Sequence, residues 1–242
     1  MSITPGNSTT VALGTRTNTT VAAPAGTVIG DVIAVSMTAG NGSLTAVTIA
    51  PPVGVTYELV GDATVTAPDP YSLHAVTFGI RHDGSALYTF THASAATQAF
   101  ARHWIGVDPT VMQDAAATSA IVSGFGTPDT PIVAPSITTV TNGAVSIINR
   151  ASWDGVAITG PGGWTESHDS PVMWMGYREW PTAGATGTTA VATGNTGDSP
   201  RAIIHGVLRP YVAPTTTSVR LLTEAGLPLL TEAGLPLMTE GS

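Results

Sequence analysis

One order of five segments occurs twice in this 242-residue chain, and that doubling limits the folds open to it. The first half reads APAGTVIGDVIAVSM from Ala23, PPVGVTYEL from Pro51, HAVTFGI from His74, ALYTFTH from Ala86 and AFARHWIGVDP from Ala99. The second reads APSITTVTNGAVSIIN from Ala134, PGGWTES from Pro161, VMWMGYRE from Val172, TTAVATG from Thr188 and AIIHGVLRP from Ala202. In each half a Gly or Asn turn launches an apolar strand, and a Pro/Gly-led aromatic strand follows. Three more strands bring the halves to Pro109 and Pro210. Short apolar runs bounded by turn residues read as strands. The expectation is an all-β chain. Residues 1–210 should form an antiparallel, jelly-roll-like β-sandwich built from two similar five-strand halves whose sheets share one core.

Local patterns agree with strands. Val32, Ala34 and Ser36 alternate with Ile33, Val35 and Met37, so the segment from Asp31 is apolar on nearly both faces and should be central. Tyr88, Phe90 and His92 alternate with Thr89, Thr91 and Ala93, the pattern of a half-buried strand. Gly40-Asn41-Gly42, Asp83-Gly84, Asn142-Gly143 and Asp154-Gly155 are turn sequences. The stretch Val111–Val122, with Ala115, Ala116 and Ala117, is the most helix-compatible. It reads as a connecting loop with one helical turn.

The end of the chain is more specific. LLTEAGLP occurs at Leu221–Pro228 and again at Leu229–Pro236, and a degenerate copy closes the sequence. Interior Pro costs a helix about 3 kcal/mol and Gly about 1 kcal/mol, so this repeat is not helical. It reads as short extended pieces separated by turns at Gly226 and Gly234. Leu221, Leu222, Leu227, Leu229, Leu230, Leu235 and Leu237 need a covering surface, and strand addition to a neighbouring subunit supplies one. Glu224 and Glu232 recur at one place in the unit and would set register. We therefore expect residues 211–220 to be a linker and 221–242 an assembly arm.

Composition excludes several classes. The formal net charge is −8, every basic residue is Arg, and no basic cluster is present, which argues against nucleic acid and anionic membranes. There is no Cys, so disulfides and thiolate metal sites are ruled out. No apolar run approaches the roughly 20 residues of a membrane-spanning helix. The start MSITPGNSTT has no basic and apolar signal regions, and no signal peptide is expected. The Ala, Thr, Gly and Pro bias without Lys points to a GC-rich genome.

Candidate chemistry is thin. Glu166, Ser167, His168 and Asp169 offer a base, a hydroxyl and two carboxylates, but neighbours on a strand point to opposite faces and do not assemble a triad. GxSxG, HExxH, Walker A and EF-hand patterns do not occur. His82-Asp83-Gly84 reads as a turn. The histidines lie on separate segments without ligand spacing, so no catalytic residue, metal or cofactor is expected. Trp164 and Trp174 read as core residues. Trp153 and Trp180 sit at strand ends and are the candidates for contact with a glycan.

With these motifs in view, the chain resembles a known family. LLTEAGLPLLTEAGLPLMTEG is similar to the leucine–threonine–glutamate repeats that end many minor tail proteins of tailed phages infecting GC-rich bacteria. In the body, VAAPAGTVIGDVIAVSM, IGVDP, PGGWTES, PTAGATGTTAVATG and LRP echo that family's order of motifs. The resemblance covers nearly the whole chain and implies a virion structural protein, not an enzyme, with no catalytic or receptor residues to carry over. Its partners would be other virion proteins bound through the C-terminal arm, further copies of itself in a homo-oligomer, and host cell-wall glycan. The chain is short and lacks a separate baseplate-type domain. A capsid decoration protein is the alternative in the same class; a carbohydrate-binding module comes next, and a hydrolase centred on Glu166, His168 and Asp169 last.

Overall fold

The computed structural model describes residues 2–42, 47–66, 72–122, 131–153, 158–193 and 200–213. Among these residues every regular element is a strand and every strand pairing is antiparallel. The chain divides into two units, Met1–Tyr211 and Val212–Ser242, and the strands of the described residues belong to the first.

The first half holds β1 (Thr4–Ala22), β2 (Val32–Asn41), β3 (Ile49–Ala50), β4 (Tyr57–Thr66), β5 (Ser72–Arg81) and β6 (Leu87–Ile105). They pair in the order β1-β6-β2-β5-β4, with β3 added to β6. The second half holds β7 (Gln113–Val122), β8 (Ile132–Ala134), β9 (Ala144–Ser152), β10 (Ile158–Thr159), β11 (Thr165–Asp169), β12 (Met173–Trp180), β13 (Thr189–Thr193) and β14 (Arg201–Leu208). Here the orders are β11-β12-β9-β14-β7 and β10-β13-β8.

Both halves follow one pairing scheme. The start of β1 and the end of β6 pair in the main sheet, as β7 and β14 do. The end of β1 (Asn18–Ala22) and the start of β6 (Leu87–Thr91) pair away from it, as β8 and β13 do. β3 joins β6 at Thr91 and His92, and β10 joins β13. Two matching turns, one inside each half, align the halves position by position. Gly30 (φ 97°) donates its N–H to the His82 carbonyl at 2.9 Å, and Gly143 (φ 81°) does the same to Trp180 at 2.9 Å. A positive φ is what glycine adopts without steric cost.

Strand alternation divides the core into layers. Val32, Ala34, Val60, Phe100 and Trp104 of the first main sheet meet Val145, Ile147, Met173, Met175 and Leu208 of the second. Farther along, Val65, Leu73 and Ala75 meet Ala151, Ala202 and Ile204. Close approach here depends on missing side chains: a Cβ on Gly61 would lie 2.1 Å from Ile204, and one on Gly206 2.4 Å from Val60. On the opposite face of the first sheet, Ile33, Val35, Met37 and Phe78 pack with Val21, Tyr88 and Phe90. On the opposite face of the second, Ile148, Trp174 and Ile203 pack with Ile132, Ala134, Ile158 and Val191. Burying each such aliphatic or aromatic side chain is worth about 1.5–3 kcal/mol.

As expected, β2 is central and buried on both faces, and Leu87–Ala93 alternates exposed and buried. Three expectations fail. The Val111–Val122 stretch is not a loop with a helical turn but contains β7, because the unpaired edge of β14 outweighs the helix propensity of the alanines. Asp114 is buried there, and its carboxylate accepts the Val140 and Thr141 N–H groups at 2.6 and 3.2 Å. ALYTFTH and AFARHWIG are not two strands but one, β6, since β1 pairs along its whole length through register shifts instead of a loop. The halves also contain more than five strands each, because β1, β3, β7, β8 and β10 were not among the expected segments.

Candidate functional site

Glu166 and His168 both lie on β11, separated by a register shift against β12 that sends them to opposite faces. Glu166 accepts the Trp174 indole N–H at 3.0 Å on the outer side. His168 stacks on Phe100, 5.3 Å between ring centroids, on the side facing the first half. There the Gln98 amide donates to His168 Nε2 at 3.1 Å, and the Ser170 hydroxyl donates to Gln98 Oε1 at 2.7 Å. Burial pushes His168 below its ordinary value, against the opposing pull of Asp169 and Glu166. Burial and the Glu166 charge both raise Asp169. These groups clasp the two halves together. They do not converge on a reacting atom, and no serine hydroxyl among the described residues bonds to His168.

A serine–histidine bond does exist elsewhere. His205 Nε2 lies 2.9 Å from Ser146 Oγ, and its Nδ1 lies 2.9 Å from the Pro135 carbonyl. The Trp180 indole N–H also donates to Ser146 Oγ, at 2.8 Å. The bonds close when Nδ1–H donates to Pro135 and the Ser146 hydroxyl donates to Nε2, with histidine neutral. Burial lowers the His205 pKa, partly offset by the Pro135 carbonyl. Both residues are fully enclosed, and the pair ties together β14, β9 and the segment after β8.

The two tryptophans singled out for glycan contact are both half-buried and far apart. Trp180 pairs with Ala144 at the start of β9, whereas Trp153 follows the end of that strand. The Trp180 ring is bonded to Ser146 and carries the Arg178 guanidinium 4.5 Å from its centroid. The Trp153 ring covers Gly40, where an added Cβ would lie 2.7 Å from it. Both rings make internal contacts, and they lie toward opposite ends of β9. Trp174 is buried as expected and roofs Gly160 and Gly176, while Trp164 is half-buried edge-on to His205.

Apolar residues that the sequence reading passed over stand out at one end of the first half. Val53 is 100% exposed, Ile29 76% and Val28 63%. Their loops are tied together: Gly30 N–H bonds to the His82 carbonyl, His82 N–H to Asp31, and Arg81 N–H to Thr56. Ile29, Gly54, Thr56, Arg81, His82 and Asp83 line a shallow depression of about 340 Å³. A signal for this surface was present in the sequence, since β-branched residues directly precede turn glycines in VIGD and PVGV, where Asn or Asp is the usual choice.

Leu221, Leu222, Glu224, Leu227, Leu229, Leu230, Glu232, Leu235 and Leu237 of the expected arm, and most of the expected linker, lie outside the described residues. Among the described residues there is no group of three or more His, Asp or Glu placed to hold a metal ion. No protein-family model, no curated protein and no solved structure matches this chain.

Proposed function

We propose that this protein is a structural component of a phage virion, most simply a minor tail protein at the tail tip or fibre that assembles through its C-terminal repeat and contacts the host surface. The observation that carries the reading is the tandem LLTEAGLP repeat at the end of an antiparallel β body. Numbering the strand segments of each half from one to eight, the main sheet runs 1-8-3-6-5 and the smaller set 2-7-4. We read this as two jelly rolls packed through their larger sheets, a topology used by viral capsid and lectin domains. The arrangement of polar groups also supports a non-catalytic role, since Glu166, His168, Ser146 and His205 all bond internally.

The test is localisation on purified particles. Antibody raised against the body should label the tail in electron micrographs of intact virions, and peptides from this chain should co-purify with them. Label over the head instead would favour the capsid decoration alternative. Absence from washed particles would remove the virion reading altogether.

A further inference from the structure

We propose that the exposed apolar end of the first half is the acceptor for the leucine repeat of a second copy of this chain. This rests on the reading of the repeat as an assembly arm. The second half provides an internal control for what the fold requires. Two of its corresponding loops carry turn glycines of positive φ, Gly143 and Gly163, as the first half does at Gly30 and Gly54, although the strand after Gly163 pairs in a register shifted by two residues. Yet Thr141 and Asn142 stand where the first half has Val28 and Ile29, and Gly162 stands where it has Val53. These turns therefore form without an isoleucine or valine directly before the glycine, and the one exposed apolar residue of the second-half loop, Val140 (66% exposed), lies farther back. Large apolar side chains held in water by ordered loops mark a contact surface.

Charge selects the occupant. The depression in the second half is lined by Asn142, Gly143, Glu179 and Pro181, with Ser2 and Ile3, so Glu179 takes the place that Arg81 holds in the first. Arg81 is exposed, whereas the two acids beside it keep their charge but are held in place by hydrogen bonds. Asp31 accepts from His103 Nε2 at 2.7 Å and from Val28 N–H at 2.9 Å. Asp83 accepts from Ser85 N–H at 2.9 Å and from the Tyr88 hydroxyl at 3.2 Å. Leucine with a recurring glutamate suits an isoleucine–valine surface that offers an exposed arginine, even with the ionised Asp83 beside it, whereas Glu179 in the other half offers the same segment negative charge in place of that cation. The chain beyond Ala213 is 29 residues long and at about 3.3 Å per extended residue can reach a neighbouring molecule.

The test uses the purified full-length chain, with oligomeric state read by light scattering and folding by circular dichroism. Wild type should self-associate. Ile29→Asp with Val53→Asp should abolish association at a concentration where wild type is assembled, leaving the β spectrum and melting temperature unchanged. Asn142→Asp in the matching second-half loop should have no effect. Arg81→Glu should weaken association, and Glu224→Arg with Glu232→Arg in the repeat should restore it. A wild type that stays monomeric, or an Ile29/Val53 variant that associates as wild type does, overturns the proposal. If Leu222→Asp with Leu230→Asp abolishes association while the Ile29/Val53 variant does not, the arm reading survives and only the acceptor is wrong. If neither changes association, both fall.

Discussion

In the first half, β1 and β6 are each 19 residues long and run through both layers, bent at register shifts near Val11, Gly14 and Arg16. In the second half the same path is divided into β7 with β8 and β13 with β14. Side-chain volume has moved as freely as the breaks. Val76 and Phe78 on β5 correspond to Trp174 and Gly176 on β12, so the aromatic has shifted by two residues on one face. Trp174 fills its layer by lying over Gly176, 2.2 Å from where a Cβ would be. The comparison teaches that backbone pairing is the invariant, and that core composition is settled locally in each half.

The largest test of that comparison is Trp174→Ala against Val76→Ala. The first should cost about 3–5 kcal/mol, as large aromatic truncations do, and the second clearly less. Urea midpoints that rank the other way would break the correspondence. Next is the interlock between the main sheets. Gly61→Ala and Gly206→Ala should each destabilise by about 1–3 kcal/mol through overpacking. Gly162→Ala, with nothing within 4 Å of the added carbon, should not, and calorimetry on the three variants checks this.

Acid sharpens the contrast from another side. His205 belongs to the second half, and Ala101 stands at the matching position in β6. Burial holds the folded His205 pKa below its ordinary 6.5. The unfolded chain therefore takes up the proton first, so this contribution to stability is complete above about pH 6.5 and declines as pH falls toward the folded pKa. His168 acts in the same direction. Melting temperatures measured from pH 7.5 to 5 should fall, and His205→Gln should flatten that slope even if it lowers stability at neutral pH. An unchanged slope would mean that the buried imidazole is not the titrating group. The smallest effect expected is from Arg178→Ala, which removes a cation from above Trp180 and should cost about 0.5–1 kcal/mol.

How much of this was legible in the sequence depended on how each strand is buried. β2 and the Tyr88–His92 run could be read because burial on two faces, or on alternate residues, leaves a periodic trace. β1 left none: it is an edge strand rich in Thr, Asn and Gly, and most of its side chains are not buried. β3 and β10 are two residues long, too short for any period. β7 was hidden by alanines that favour a helix when no partner edge is in view. Candidate sites were less legible still. What the half-buried Trp153 packs on depended on Gly40, more than a hundred residues away. The bulge that separates Glu166 from His168 is invisible in one dimension, although strand alternation alone had already argued against a triad.

That contact of Trp153 with Gly40 has a consequence for symmetry. Counted from the matching turns at Gly30 and Gly143, Gly40 and Trp153 are the same position in the two halves, and they touch. In a symmetric dimer of identical β units, a residue beside the two-fold axis meets its own copy. It must then be small enough to coexist with itself. Two glycines there would leave a hole, and two tryptophans would collide. Carrying both halves on one chain lifts that restriction, because each copy of the position can mutate alone. Gly40 beneath Trp153 is a lock and a key at one shared position of the two halves, a fit that a symmetric pair of identical units cannot make.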